Sequence, residues 1–344
     1  MPPTHDTAIA PALREYLAQH IADFHGPITL TKFSGGQSNP TYKLDTPSHR
    51  YVLRRKPDGV LLPTAHAIER EYRVMSALAL TDVPVAKCWW LCEDAAVIGS
   101  AFYVMDFVDG RIFWDPTLPD LSAQQRNAVY LEMNRVIQKL HRVDWQACGL
   151  ADFGRLNNYF ARQIDRWTKQ YRASETTSIP AMERLIGWLP SNIPTDDVTS
   201  IIHGDFRVDN MIFHPTEARV LAVLDWELST LGHPLADFAY HCTAWFVPAS
   251  SGRGIAGDDF EAAGIPSLTA YVDNYRQAMP HLHFDSRDWQ FAVAFSFFRI
   301  AAILQGVMAR ALQGNASNNE AIETGQRAAM YAELGWQQLS SKPN

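Results

Sequence analysis

Three polar residues at the ends of short apolar runs carry the clearest chemical signal in this sequence. Asp205 follows one such run, Asn210 comes five residues later, and Asp225 ends the apolar run at 220–224. A carboxylate can take the proton of a hydroxyl group, and carboxylate and amide oxygens are ligands that Mg²⁺ prefers. Phosphoryl transfer needs both functions. We therefore predict Asp205 as the base and Asn210 with Asp225 as metal ligands.

His203 lies two residues before Asp205 and is included in the predicted catalytic loop. Because Asp205 already provides a base, we expect His203 to order the loop rather than to carry a proton. A simpler interpretation is a β-hairpin whose polar residues only cap turns. The joint presence of the carboxylate, the amide and the second carboxylate favours the catalytic interpretation.

The elements that would position these residues follow from hydrophobic periodicity. An amphipathic helix is predicted at 8–23, followed by five strands with one inserted helix at 64–80. After residue 109 the pattern becomes mainly helical, with a β insertion around the polar residues. The predicted strands are 28–33, 41–44, 50–55, 86–92, 101–107, 200–203, 210–213 and 219–225, and the later helices are 122–143, 156–173, 179–189, 234–247, 256–280, 286–313 and 316–341.

Composition excludes several classes of protein. The 344 residues are 47% hydrophobic and 19% charged, as in a compact globular chain, and the net charge of −7 disfavours a nucleic-acid partner. The four cysteines form no C-x-x-C pair, so free thiols are expected. We find no leader sequence and no run near the ~18 apolar residues of a membrane span, so we expect a cytoplasmic protein without a membrane partner.

Several motifs together resemble one known family. They are FSGGQSNPTYKL, YVLRRKPDG, IEREYRVMSAL, YVMDFVDGR, NYFARQIDRWTKQY, IIHGDFRVDNMIF and VLDWELSTLGHPLADFAY. Over about 27–330 the chain resembles the aminoglycoside phosphotransferase and choline kinase superfamily, which has the protein-kinase-like fold. Within it, the chain is most similar to the kinase-like N-terminal domain of large acyl-CoA dehydrogenases.

The resemblance implies an α+β, bilobal protein-kinase-like fold. It has a small antiparallel-sheet N-lobe with one helix, and a mainly helical C-lobe with a β-hairpin insertion at the active site. The boundaries would be an N-terminal helix at 1–26, a nucleotide-binding N-lobe at 27–108, and a catalytic and substrate-binding C-lobe at 109–344. ATP and Mg²⁺ would be the cofactors.

The resemblance also implies residues that bind the nucleotide. Arg54 would grip the phosphates and Glu71 would be its ion-pair partner, while Lys56 and Glu69 remain alternatives. Backbone groups of about Met105 and Phe107 would meet adenine. The loop that covers the nucleotide would be Ser34, Gly35, Gly36, Gln37, Ser38 and Asn39.

Two further acidic residues receive roles, Asp237 from the same resemblance and Glu227 from its position two residues after Asp225. Asp237 would hold the catalytic loop in shape without taking part in the chemistry. Glu227 would reach the metal through water or orient a loop, with a direct metal contact as a further alternative.

The phosphate acceptor is the least determined part of the function. Arg162, Arg166 and Lys169 recur at helical spacing and would suit an anionic substrate, although a solvated helix face is the simpler interpretation. With the acyl-CoA dehydrogenase association, the stripe predicts a hydroxyacyl-CoA acceptor and a functional link to such a dehydrogenase. The alternatives are an aminoglycoside, choline or homoserine kinase, or a nucleotide-binding pseudokinase without turnover.

Overall fold

The computed structural model describes residues 9–33, 39–57, 67–257, 259–313 and 319–340. The chain separates into two compact units, and neither is continuous in sequence. The first contains the chain up to residue 112 together with 145–153 and 210–229. The second contains 113–144, 154–209 and the chain from 230 onward. The lobe boundaries at residues 27 and 109 stay a prediction.

The first unit contains a five-stranded sheet in the order β1-β2-β3-β5-β4, in which all pairs are antiparallel. This confirms the predicted five-stranded lobe with one inserted helix, α2. The bounds are α1 Ala10–His20, β1 Thr29–Lys32, β2 Thr41–Asp45, β3 Arg50–Arg55, α2 Ile68–Leu78, β4 Cys88–Cys92 and β5 Phe102–Asp106.

A different helix packs against each face of this sheet. Phe102 and Val104 join the apolar core to which α1 contributes Leu13 and Leu17. Tyr103 points the other way and contacts Glu71 of α2. Because alternate strand residues face opposite sides, α1 and α2 sandwich the sheet.

The second unit is mainly helical. Its long helix, α9, packs against α4, α5, α6, α10 and α11. The bounds are α3 Ala123–His141, α4 Tyr159–Ala173, α5 Pro180–Trp188, α6 Pro234–His241, α7 Phe260–Ala263, α8 Leu268–Ala278, α9 Ser286–Leu312, α10 Asn319–Gln326 and α11 Ala328–Ser340.

Helix α9 corrects one expectation from the sequence. By length and composition its 27 residues could cross a membrane. The expectation that the sequence contains no apolar run of that length was therefore wrong. However, 72% of its most apolar window is buried inside the protein. A helix that is apolar on all sides is also what the centre of a large helical core requires.

The β insertion forms two separate pairs of strands. Strands β7 (Met211–Phe213) and β8 (Val220–Val223) pair within the first unit. Strand β6 (Ser200–Ile202) instead pairs with β9 (Thr230–Gly232) in the second unit. The sequence did not predict β9.

Two predicted helices are each divided in two. The segment predicted at 256–280 contains α7 and α8, because Gly264 ends α7 with a φ of 74°. That conformation terminates a helix and suits glycine. The segment predicted at 316–341 contains α10 and α11.

Candidate active site

Arg54 lies at the centre of a charged network in the first unit. Its Nη2 donates to Oδ1 of Asp225 at 3.0 Å, and its Nε lies 2.8 Å from Oε2 of Glu71. The hydrogen bond between these two residues runs from Nη2 of Arg54 to Oε1 of Glu71 at 3.3 Å. Burial opposes the charge of Arg54, but the carboxylates of Glu71 and Asp225 raise its pKa above the usual value. The network joins β3, α2 and the end of β8.

Two neutral donors hold the other side of this network. The amide of Asn39 donates to Oε1 of Glu71 at 2.9 Å, and the hydroxyl of Tyr103 donates to Oε2 at 3.0 Å. Asn39 is 1% exposed, so its side chain orients Glu71 inside the unit. The other residues predicted for the nucleotide loop, Ser34, Gly35, Gly36, Gln37 and Ser38, lie outside the described residues.

The alternatives to Arg54 and Glu71 form a contact of their own. Lys56 pairs with Glu69, and both side chains are close to one-third exposed. By contrast, the side chains of Arg54 and Glu71 are 12% and 2% exposed. The geometry therefore favours Arg54 as the cation of the site, with Glu71 as its partner.

The two predicted metal ligands lie at the same end of the β7–β8 hairpin. The N–H of Leu224 donates to the carbonyl of Asn210 at 2.8 Å, which places Asp225 next to the residue paired with Asn210. Asp225 adopts a left-handed backbone with a φ of 62°, which is uncommon for a residue other than glycine. Its side chain is 38% exposed and so is accessible to a cation.

This donor set suits magnesium better than a transition metal. Among the described residues, no group of three His, Cys, Asp or Glu side chains could hold a metal. Mg²⁺ typically takes one or two protein oxygens and completes its shell with phosphate oxygens and water. Glu227 lies with its carboxylate 3.9 Å from Nη2 of Arg54, so it contributes to the same charged network.

The two residues predicted to meet adenine lie at the end of β5. Met105 is in a central strand, opposite Val52 on one side and Cys88 on the other. The N–H of Phe107 donates to the carbonyl of Arg50 at 3.1 Å. Contact with adenine stays a prediction for both residues. To bind adenine, Phe107 would either accept a hydrogen bond at its carbonyl or give up the bond from its N–H to Arg50.

Asp205 lies beside a hydroxyl donor and a guanidinium group in the second unit. The hydroxyl of Tyr240 donates to its Oδ1 at 2.6 Å, and Nε of Arg207 lies 3.3 Å from the same oxygen. Burial alone would raise the pKa of Asp205, but the charge of Arg207 and the bond from Tyr240 outweigh it and lower the pKa. Asp205 is therefore a carboxylate at neutral pH.

The backbone before Asp205 is fixed from both sides. The carboxylate of Asp237 accepts from the N–H groups of His203 and Gly204 at 2.7 and 2.8 Å. Arg299 donates to the carbonyl of Gly204 at 2.6 Å, and Gly204 itself has a φ of 85°. This geometry supports the loop-holding role proposed for Asp237.

The ring of His203 also serves the loop. Its Nδ1 accepts the backbone N–H of Asp205 at 3.2 Å, so this nitrogen carries no proton in that contact. The ring is 0% exposed. Both observations support a role in ordering the loop.

A second buried histidine, which the sequence did not predict, lies under the loop. Nδ1 of His241 is 3.2 Å from the carbonyl of Phe206, and its Nε2 is 2.8 Å from the hydroxyl of Tyr271. A carbonyl only accepts, so we assign the proton to Nδ1 and let Nε2 accept from Tyr271. Burial lowers the pKa of His241 to about 4. A lone histidine within a helical pattern gives no sequence signal for this role.

The basic stripe on α4 is engaged locally. Arg162 donates to the carbonyls of Arg155 and Leu156, and Lys169 pairs with Asp165 while remaining largely exposed. Arg166 lies over the ring of Trp167 at 5.1 Å. These contacts are typical of a solvated helix face.

Comparison with known proteins matches residues 29–281 to the sequence model of a phosphotransferase enzyme family, abbreviated APH. The chain belongs to this phosphotransferase family. A crystal structure of a candidate aminoglycoside phosphotransferase from Ralstonia eutropha JMP134 is 54% identical. It has a TM-score of 0.90 and covers 99% of this chain and 100% of its own. The kinase-like α+β fold is thereby confirmed.

Two further relatives extend the comparison. Spectinomycin phosphotransferase, in complex with ADP and spectinomycin, has a TM-score of 0.64 at 13% identity over 98% of this chain and 100% of its own, and so shares the fold alone. Acyl-CoA dehydrogenase family member 10 of Mus musculus is 50% identical over 94% of this chain. The chain spans 30% to 42% of the length of the first curated relatives that it matches.

Proposed function

We propose that the protein transfers the γ-phosphoryl group of ATP to a hydroxyl group of a small molecule. The observation that carries this proposal is the contact of the largely buried Arg54 with the buried Glu71 and the accessible Asp225. A cation held next to a metal-binding carboxylate is what binding of nucleotide phosphates requires. The ionised Asp205 of the second unit supplies the second function, a proton acceptor.

In the proposed reaction the hydroxyl oxygen of the acceptor forms a bond to the γ-phosphorus, and the bond from that phosphorus to the β-γ bridging oxygen breaks. ADP leaves with the bonding electron pair, and the hydroxyl proton passes to Asp205 and then to solvent. Since the transition state of such transfers is loose, the proton leaves late, and Asp205 acts mainly by orienting the hydroxyl. Its lowered pKa fits that role better than the role of a strong base.

Magnesium would be held by Asn210 and Asp225, and it would neutralise negative charge on the nucleotide phosphates. Arg54 is then placed beside Asp225 to add a second positive charge. Glu71, with its donors Asn39 and Tyr103, keeps the guanidinium of Arg54 in place.

For the acceptor, we propose the hydroxyl group of a hydroxyacyl-CoA. The names of the curated relatives, which are acyl-CoA dehydrogenase family members, support this class. The charge around Asp205 also agrees, because Asp209 pairs with both Arg207 and Arg253 at 3.0 Å. A polycationic aminoglycoside needs unpaired acidic groups, and here the neighbouring carboxylate is already neutralised.

The test is an ATP-consumption assay with Mg²⁺ against hydroxyacyl-CoA esters, choline and aminoglycosides. We expect turnover with a hydroxyacyl-CoA that falls at least about a hundredfold in Asp205→Asn, because the group that orients the hydroxyl is lost. Asp273→Asn, which removes an exposed carboxylate paired with Arg276 on α8, should retain wild-type turnover.

Three results would count against the proposal. Turnover with choline or an aminoglycoside but with no hydroxyacyl-CoA would contradict the acceptor class. Equal background rates in wild type and Asp205→Asn, with every acceptor, would contradict the enzyme and favour the pseudokinase. Full activity without any divalent cation would contradict the metal site.

A further inference from the structure

We propose that Tyr240 is a positioning residue of phosphoryl transfer, because its hydroxyl fixes the orientation of the Asp205 carboxylate toward the acceptor. This inference rests on the proposed function, in which Asp205 receives the acceptor proton.

Two contacts on Asp205 fall on the same carboxylate oxygen. The hydroxyl of Tyr240 donates to Oδ1 at 2.6 Å, and Nε of Arg207 lies 3.3 Å from Oδ1. The hydrogen bond from Tyr240, together with the attraction of the Arg207 guanidinium to the same oxygen, restricts rotation of the carboxylate about its Cβ–Cγ bond. A reacting group held in one orientation loses less freedom when the acceptor binds.

Tyr240 is itself held rigidly by its helix. It lies three residues after Asp237 on α6, so the two side chains project from the same face of that helix. Asp237 binds the backbone of His203 and Gly204, while Tyr240 binds the side chain of Asp205. One helix face therefore positions both the backbone of the catalytic loop and its carboxylate.

The ring of Tyr240 has a second support. The guanidinium of Arg299, from α9, lies 5.1 Å from the ring centroid, and Arg299 also donates to the carbonyl of Gly204. A cation over an aromatic face is attracted to it. Arg299 therefore links the tyrosine ring to the backbone that precedes Asp205.

The surrounding charges ensure that Tyr240 is the donor and Asp205 the acceptor of their hydrogen bond. The groups that face Asp205 are Arg207, His203, Arg299 and Tyr240. Burial first, and then the charge of Asp205, raise the pKa of Tyr240, so the phenol stays a donor across the working pH range. A hydrogen bond to the ionised carboxylate stabilises the ionised form.

The experiment compares Tyr240→Phe with Tyr130→Phe. Both rings border the same cavity of about 50 Å³ in the second unit, but the hydroxyl of Tyr130 donates to the carbonyl of Pro116 at 2.6 Å. The control therefore removes a buried hydroxyl from the same cavity without removing a contact to Asp205. Thermal unfolding of both variants checks that they fold.

Two measurements are made on wild type and both variants. The first is the pH dependence of kcat and of kcat/KM with the acceptor found in the screen. The second is an NMR titration of protein labelled with ¹³C at the aspartate carboxyl carbons, with Asp205→Asn to assign the signal. The titration reads the hydrogen bond without any need for turnover.

In Tyr240→Phe we expect kcat to fall roughly tenfold while KM for ATP stays unchanged, as for loss of a hydrogen bond to a charged group. The acid limb of kcat/KM and the NMR titration of Asp205 should both move to higher pH, because the ionised carboxylate has lost a donor. Tyr130→Phe should show neither change.

An unchanged NMR titration of Asp205 in Tyr240→Phe would overturn the inference, because the hydrogen bond would then not act on the carboxylate. A shifted titration with an unchanged pH profile and kcat would overturn it as well, because the bond would then have no part in transfer. A wild-type protein that transfers phosphate to no acceptor would refute the proposed function itself, before the variants are compared.

Discussion

At the scale of single residues, Arg54 has a proposed role in binding phosphate and an expected role in stability. Its guanidinium contacts Glu71 and Asp225 from inside the first unit. Removal of one partner from a buried ion pair leaves the other charge buried without compensation. The same substitution at an exposed pair has little effect.

We therefore expect Arg54→Met to lower the free energy of unfolding by about 3 kcal/mol or more, since Glu71 would be left buried. The matched control is Lys56→Met, whose pair with Glu69 is partly exposed, and its effect should stay within about 1 kcal/mol. Urea unfolding monitored by tryptophan fluorescence measures both. Equal losses in the two variants would show that burial of the Arg54 network does not matter.

His241 gives a prediction for pH. Its pKa in the folded state is lowered from 6.5 to about 4 by burial, so the folded protein resists protonation that the unfolded chain accepts. The contribution of His241 to stability is complete above pH 6.5 and is lost as the pH falls toward 4. The shift of about 2.5 pH units corresponds to roughly 3 kcal/mol.

The measurement is the free energy of unfolding in urea between pH 7 and pH 4.5, for wild type and His241→Gln. Glutamine can still donate to the carbonyl of Phe206, but it does not titrate. The wild type should lose more stability than the variant over this range. Parallel pH profiles would show that His241 is not the group that titrates.

At the scale of elements, α6 supports the candidate site, and the turn after α7 packs closely against the start of α3. Two side chains of α6, Asp237 and Tyr240, bind the predicted catalytic loop. The sequence predicted the start of this helix correctly at residue 234 but extended it to residue 247. Its α-helical part ends at His241, and a 3₁₀ turn follows at Cys242–Trp245.

The close approach of α7 to α3 gives an element-scale prediction. A Cβ on Gly264 would lie 2.2 Å from the carbonyl oxygen of Ala123, whereas a Cβ on Gly252 would meet nothing within 4 Å. Both glycines have positive φ, 74° and 68°, so an alanine is strained at either position. The difference between the two substitutions isolates the steric clash.

We expect Gly252→Ala to lower stability by about 1 kcal/mol and Gly264→Ala to lower it by at least about 3 kcal/mol, because backbone atoms of α3 must move. Thermal unfolding followed by circular dichroism compares the two. If Gly264→Ala unfolded at the same temperature as Gly252→Ala, the contact between α7 and α3 would not be tight.

At the scale of the whole molecule, the two compact units do not follow the order of the chain. The hairpin of β7 and β8 belongs to the first unit, although the residues on both sides of it belong to the second. This division places Asn210 and Asp225 in the unit that holds Arg54, and Asp205 in the other unit. Periodicity along the chain contains no information of this kind, because it reports only local structure.

The sequence by itself predicted the five-stranded sheet with its helix, and it predicted Asp205 as a base and Asn210 with Asp225 as metal ligands. Those features depend on local periodicity and on residue types at fixed spacing. The fold class and the loop-holding role of Asp237 came instead from the resemblance of several motifs to a known family. The sequence did not decide between Arg54 and Lys56, or between Glu71 and Glu69, because the strand and the helix each carry several charged residues.

Only the tertiary structure decided how those residues are held. It separated Arg54–Glu71 from Lys56–Glu69 by burial, and it placed Tyr103 and Asn39 on Glu71. It also paired β6 with β9 and brought Tyr240 onto Asp205 across 35 residues of chain. These contacts join residues that are far apart in sequence. Their strength depends on exclusion of water, which cannot be inferred from residue types or from local spacing.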